Sequence, residues 1–154
     1  MDSRSGIECC GDVLGRESMN REILFRGKQK DNGEWVYGCF VDLIDGKRKI
    51  PCIYGKGEVI HKTVGQYTGL TDKNGKKIFE GDIVRYSIYP PSKYEYGVVN
   101  WFNGGFRAGD TNCNLCVCSA DGVATYKLEV IGNIHDNPEL MEGENESGFN
   151  KHKA

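Results

Sequence analysis

The chain has 154 residues, 38% of them hydrophobic and 27% charged, with a formal net charge of −2. That is room for one domain rather than two, and no stretch approaches the ~20 apolar residues of a membrane span. The 21 glycines and four prolines fit short strands and tight turns and exclude long helices, where each interior Gly costs about 1 kcal/mol relative to Ala.

Residues 1–18 (MDSRSGIECCGDVLGRES) hold no sustained period of 2 or 3.6. Charges run through them, so no apolar core of a secretory signal is present. They are expected to form a disordered extension, acidic by two charges, with Met19 as a natural start. Residues 19–141 carry 16 Lys/Arg and 15 Asp/Glu, a balance without the basic excess of a strong nucleic-acid binder.

Ile23–Arg26 is short and β-prone. Asn32-Gly33 accepts positive φ and leads into Trp35–Val41, rich in aromatic and β-branched residues, which predicts a hairpin. Asp45-Gly46 is a second turn. Arg48–Tyr54 is a third strand, expected at a sheet edge because Pro51 has no N–H to give a ladder. Thr63–Leu70 is a strand or extended loop, followed by a second Asn-Gly turn at Asn74-Gly75. Ile78-Phe79 is expected to plug the core, Glu80–Asp82 to turn, and Ile83–Tyr86 to launch a strand. Pro90-Pro91 breaks it. Tyr96–Trp101 is a strand, Asn103–Gly105 a turn and Phe106-Arg107 the return. Residues 109–123 read as a loop. In Thr125–His135, Tyr126, Leu128 and Val130 share one face and Lys127 and Glu129 the other. Asn137-Pro138 opens a single helical turn, and residues 142–154 form a polar, acidic tail expected to be disordered.

Many short strands without an amphipathic helix predict an all-β fold. Closure removes exposed strand edges, so the expected form is a small, SH3-like, partly open β-barrel.

Several segments together resemble the YopX family of phage and prophage proteins. They are Met19–Lys28 with Gly33–Gly38, the long central block Thr63–Tyr86 (TVGQYTGLTDKNGKKIFEGDIVRY), Gly97–Trp101, and Leu128–Leu140 (LEVIGNIHDNPEL). The resemblance implies an SH3-like β core over residues 19–141 and a home on mobile phage DNA in bacteria. It implies no activity, because the biochemical role of that family is undefined. The extension at 1–18 and the stretch Cys113–Cys118 depart from the pattern.

The chemistry-bearing residues are few. Cys113, Cys116 and Cys118 could place thiolates on one metal, with Cys39, Cys52 or His135 as a fourth ligand, but a structural zinc site normally shows a second Cys-x-x-Cys or paired His. The seven cysteines, odd in number and irregular in spacing, are expected to be reduced thiols of a cytoplasmic protein. Cys9 and Cys10 are expected to be inert. Asp72, Glu80 and Asp82 could do acid–base work, yet each lies beside a glycine turn, where Asp bonds its own backbone. His135-Asp136 has no nucleophile tied to it. No metal, cofactor or catalytic set is expected. Lys73, Lys76, Lys77 and Arg85 form the best basic patch, and Trp101, Tyr67 or Tyr86 could stack bases beside it. The aromatics could equally be core.

Three readings stand. The first is a non-enzymatic phage or prophage accessory protein acting through protein contacts with an unknown partner, including as a homo-oligomer. The second is a nucleic-acid-binding small β-barrel using Lys73, Lys76, Lys77, Arg85 and Trp101. The third is a metal-binding or small enzymatic protein.

Overall fold

A computed structural model describes residues 21–86, 94–109, 115–116, 123–124 and 128–142. Among the described residues the chain is all-β with one 3-10 turn and one short α-helical turn, and it divides into two compact units at Gly69/Leu70. Among the described residues the strands form open sheets and no closed barrel.

In the first unit, β1 (Phe25–Lys28) pairs antiparallel with β2 (Trp35–Gly38). Gly33 at φ 71° makes the connecting turn that Asn-Gly announced. The strand expected over Trp35–Val41 is cut after Gly38. Beyond it, β3 (Phe40–Asp45) leaves β1 and pairs along its whole length with β4 (Arg48–Ile53). A two-residue strand, β5 (Gly57–Glu58), pairs with the inner end of β4. So β4 lies between two strands and is not the edge that Pro51 suggested. The Pro51 carbonyl accepts from Val59 N–H on the β5 side. N and O of one residue point the same way across a strand, so the missing N–H also faces β5 and the β3 ladder loses nothing.

A single 3-10 turn, His61–Thr63, precedes β6 (Gly65–Thr71). The buried Thr63 hydroxyl donates to Ile60 O (2.6 Å) and accepts from Lys28 N–H (2.8 Å). β6 then pairs with β1 through Gly65 and Gln66. Ile53 and Val59 are almost fully buried, and Phe25 stacks at a tilt on Phe40, centroids 5.9 Å apart.

The second unit begins at Leu70. The chain turns at residues 72–76 into β7 (Lys77–Phe79), where Ile78 and Phe79 are buried as expected. A four-stranded antiparallel sheet follows, in the order β10 (Gly105–Ala108), β9 (Glu95–Phe102), β8 (Asp82–Tyr86), β13 (Glu129–Asn133). Asn103 at φ 47° and Gly104 at φ 81° form the two-residue β9–β10 turn, whose twist matches that of the strands. A bulge at Ile131 shifts the β13–β8 register. Two short strands pair in parallel: β11 (Leu115–Cys116) lies within the segment read as a loop and β12 (Val123–Ala124) at its end. The core gathers Ile78, Val84, Tyr86, Val99, Phe106, Ala108, Leu115, Leu128 and Val130. Glu139–Glu142 forms the closing helical turn, α1.

Candidate functional site

The turn acids serve the backbone. The buried Asp72 carboxylate accepts from Asn74 N–H (2.8 Å) and Lys76 N–H (2.9 Å) with Oδ1, and from Val130 N–H (3.0 Å) with Oδ2. One side chain therefore closes the Asn74-Gly75 turn and anchors β13. Asp82, also buried, accepts from Phe79 N–H at 2.8 Å. His135 and Asp136 belong to a turn organised by Asn133. Its Oδ1 accepts from both of their N–H groups, and its amide donates to Asp136 Oδ2 at 2.9 Å.

The basic residues separate. Lys73 and Arg85 converge on Glu129, Lys73 Nζ at 3.0 Å and the Arg85 guanidinium in a short ion pair with the same oxygen. The hydrogen bond from Lys73, then that from Arg85, holds the Glu129 carboxyl below its ordinary range, and Glu129 in turn holds Arg85 charged. Lys76 and Lys77 are exposed where the same turn enters β7. Trp101 is 53% exposed and sits edge-on to Phe106, centroids 4.9 Å apart, on the core face of the sheet at its hairpin end. Tyr67 and Tyr86 are buried. The structure thus brings together Lys73 and Arg85 of the sequence candidates, and does not place Trp101 on their face.

Arg85 pairs across the ladder with Tyr96. On β9, strand alternation puts Tyr96, Val98, Asn100 and Phe102 on that one face, continued by Tyr94 just before the strand. Tyr94 is 57% and Phe102 45% exposed. The Arg85 guanidinium lies 4.8 Å from the Tyr94 ring centre, and that of Arg107 lies 3.8 Å from the Phe102 ring centre. Arg107 Nε donates to Asn100 Oδ1 (3.0 Å), which aims the guanidinium. The sequence reading missed this arrangement. The signal for it was the two-residue turn at Asn103-Gly104, which sets Arg107 opposite Asn100.

The first unit carries a different surface. Residues 42–49, the outer part of the β3–β4 ribbon, are all exposed. Leu43 is 55% and Ile44 75% exposed. As neighbours on a strand they point to opposite faces. Leu43 lies across from Ile50, and Asp45 from Arg48.

Residues 24–142 match the model of the YopX protein family. The chain belongs to that family. A search of curated proteins finds no match. Among solved structures the chain is similar to protein EF1440 from Enterococcus faecalis, with 26% identity and a TM-score of 0.54, covering 79% of this chain and 99% of that one. No helix among the described residues of this YopX-family chain is long and apolar enough to cross a membrane. Among them, too, no three His, Cys, Asp or Glu side chains come together as a metal site. The side chains of Cys113, Cys116 and Cys118 lie outside the described residues. Cys52 is buried, and that burial, reinforced by the charges of Glu58 and Asp42, pushes its thiol up and away from reactivity.

Proposed function

We propose that this YopX-family chain is a non-enzymatic interaction protein, working from phage or prophage DNA in a bacterial cytoplasm, whose β3–β4 ribbon docks a second copy of the chain. The observation that carries this is the exposure of Leu43 and Ile44 on opposite faces of one ribbon. A partner covering one face would leave the other wet. Reciprocal exchange of ribbons between two copies covers both. The ribbon is also charge-complementary to itself, with Asp42 and Asp45 on β3 and Arg48 and Lys49 on β4. Burying an aliphatic side chain of this size stabilises by about 1.5–3 kcal/mol, so four such side chains across a dimer are a substantial driving force. The non-catalytic part of the reading is supported by the use of Asp72 and Asp82 as backbone acceptors.

Sedimentation of the full chain across a concentration series tests this. A dimer that becomes a monomer in the Leu43→Ser/Ile44→Ser variant, with unchanged circular dichroism, is the expected result. A monomer at every concentration, or a dimer indifferent to both substitutions, overturns it.

A further inference from the structure

We infer that the β9 face of the second unit binds single-stranded nucleic acid, a role independent of the ribbon. Three features of that face converge. Tyr94, Tyr96 and Phe102 recur at even positions along one line, and Tyr94 and Phe102 at its ends are about half exposed. From Tyr94 to Phe102 the line spans about 26 Å at the usual rise of a strand, enough to track several nucleotides of an extended chain.

Each end of the line is paired with a guanidinium. Arg85 stands over Tyr94 and Arg107 over Phe102. Such a pair offers a base a ring to stack on and a phosphate a cation beside it, which is how sequence-tolerant single-strand binders work. The guanidiniums are positioned in advance, Arg107 by Asn100 and Arg85 by Glu129.

The local charge fits a polyanion. Glu129 is an acid on this face, and it is met by both Lys73 and Arg85. That group of three keeps one positive charge. An acidic peptide would use the cations but not a row of rings. A duplex would present its phosphates but keep its base faces stacked inside. A single strand uses both features.

The test is fluorescence anisotropy of a labelled 20-mer oligo-dT with the full chain over a salt series. Binding should weaken as salt rises, because condensed counterions are released. Phe102→Ala should weaken binding about 10-fold, and Phe102→Trp should retain it. Arg107→Ala should lower the log–log salt slope by roughly 0.7, the contribution of one phosphate contact on a single strand. Phe102 is exposed and Arg107 half-buried, and thermal melts of the variants confirm folding. Absence of binding at low salt overturns the inference. So does equal affinity for a duplex of the same length, or binding that neither substitution changes.

Discussion

One exposed patch in each unit differs in kind from the other: the β3–β4 ribbon of the first and the β9 face of the second. In the first, Leu43 and Ile44 stand exposed on a ribbon, Leu43 across from Ile50 and Ile44 across from Lys49. In the second, the exposed rings of Tyr94 and Phe102 each lie beneath a guanidinium. Aliphatic surface bared on both sides of two strands gains from burial against protein and from little else. Aromatic surface already paired with cations keeps its polar partner wherever it goes, and suits a ligand that is flat and negatively charged. One small chain therefore carries two surfaces of different chemistry, and they can be broken separately.

The largest effect is expected at Asp72. Replacing it with Ala leaves three N–H groups without their acceptor, that of Val130 at a buried position. The variant should lose about 2–3 kcal/mol in urea unfolding, and oligo-dT binding with it. The ribbon offers nothing comparable: Leu43→Ser and Ile44→Ser should change the stability of the monomer itself by no more than about 0.5 kcal/mol while abolishing self-association. Gly97→Ala comes next. A Cβ there would meet the Gly109 backbone N at 2.6 Å, and backbone cannot rotate aside, so thermal unfolding should report a loss of about 1–3 kcal/mol.

A finer contrast lies between adjacent residues on opposite faces. Trp101→Ala should destabilise by about 1 kcal/mol through its edge-on contact with Phe106 and leave oligo-dT affinity unchanged. Phe102→Ala should do the reverse. If Trp101→Ala weakens binding as much as Phe102→Ala, the two faces have been assigned the wrong way round.

The smallest effect concerns acid. Because the Glu129 carboxyl is held below its ordinary range by Lys73 and Arg85, the folded state binds its proton less readily than the unfolded one. The stability this contributes is complete above the unfolded value and fades as pH falls through the lower folded value. Wild-type protein should thus lose stability more steeply than Glu129→Gln below about pH 5. Parallel decline of the two in denaturant titrations would show that the ion pairs do not couple to folding.

Much of the fold was legible because it is written in local chemistry. Asn32-Gly33 and Asn103-Gly104 announced their hairpins, Ile78-Phe79 its plug, and Asn137-Pro138 the helical turn. Asp72 was legible as a turn acid, since two of its bonds close within four residues. Its third bond reaches Val130, 58 residues away, and no spacing in the sequence announces that. The same holds for Arg85 and Glu129, 44 residues apart, whose meeting depends on the register between β8 and β13. Pro51 misled for a physical reason: a missing N–H harms only the ladder it faces. Trp101 drew attention as an aromatic able to stack a base, but period-two alternation gives its neighbour Phe102 the face that Arg107 shares.

The Asp72 bridge has a consequence for how this chain can vary. β13 is held in place by β8 and by a carboxylate that precedes both, so its position does not depend on the length of the connection that leads into it. Lengthening that connection, between Gly109 and Leu128, costs only the slowly growing entropy of loop closure, about 0.6 kcal/mol per doubling. Leu115 within that connection is buried in the same core, so added sequence must leave β11 in place.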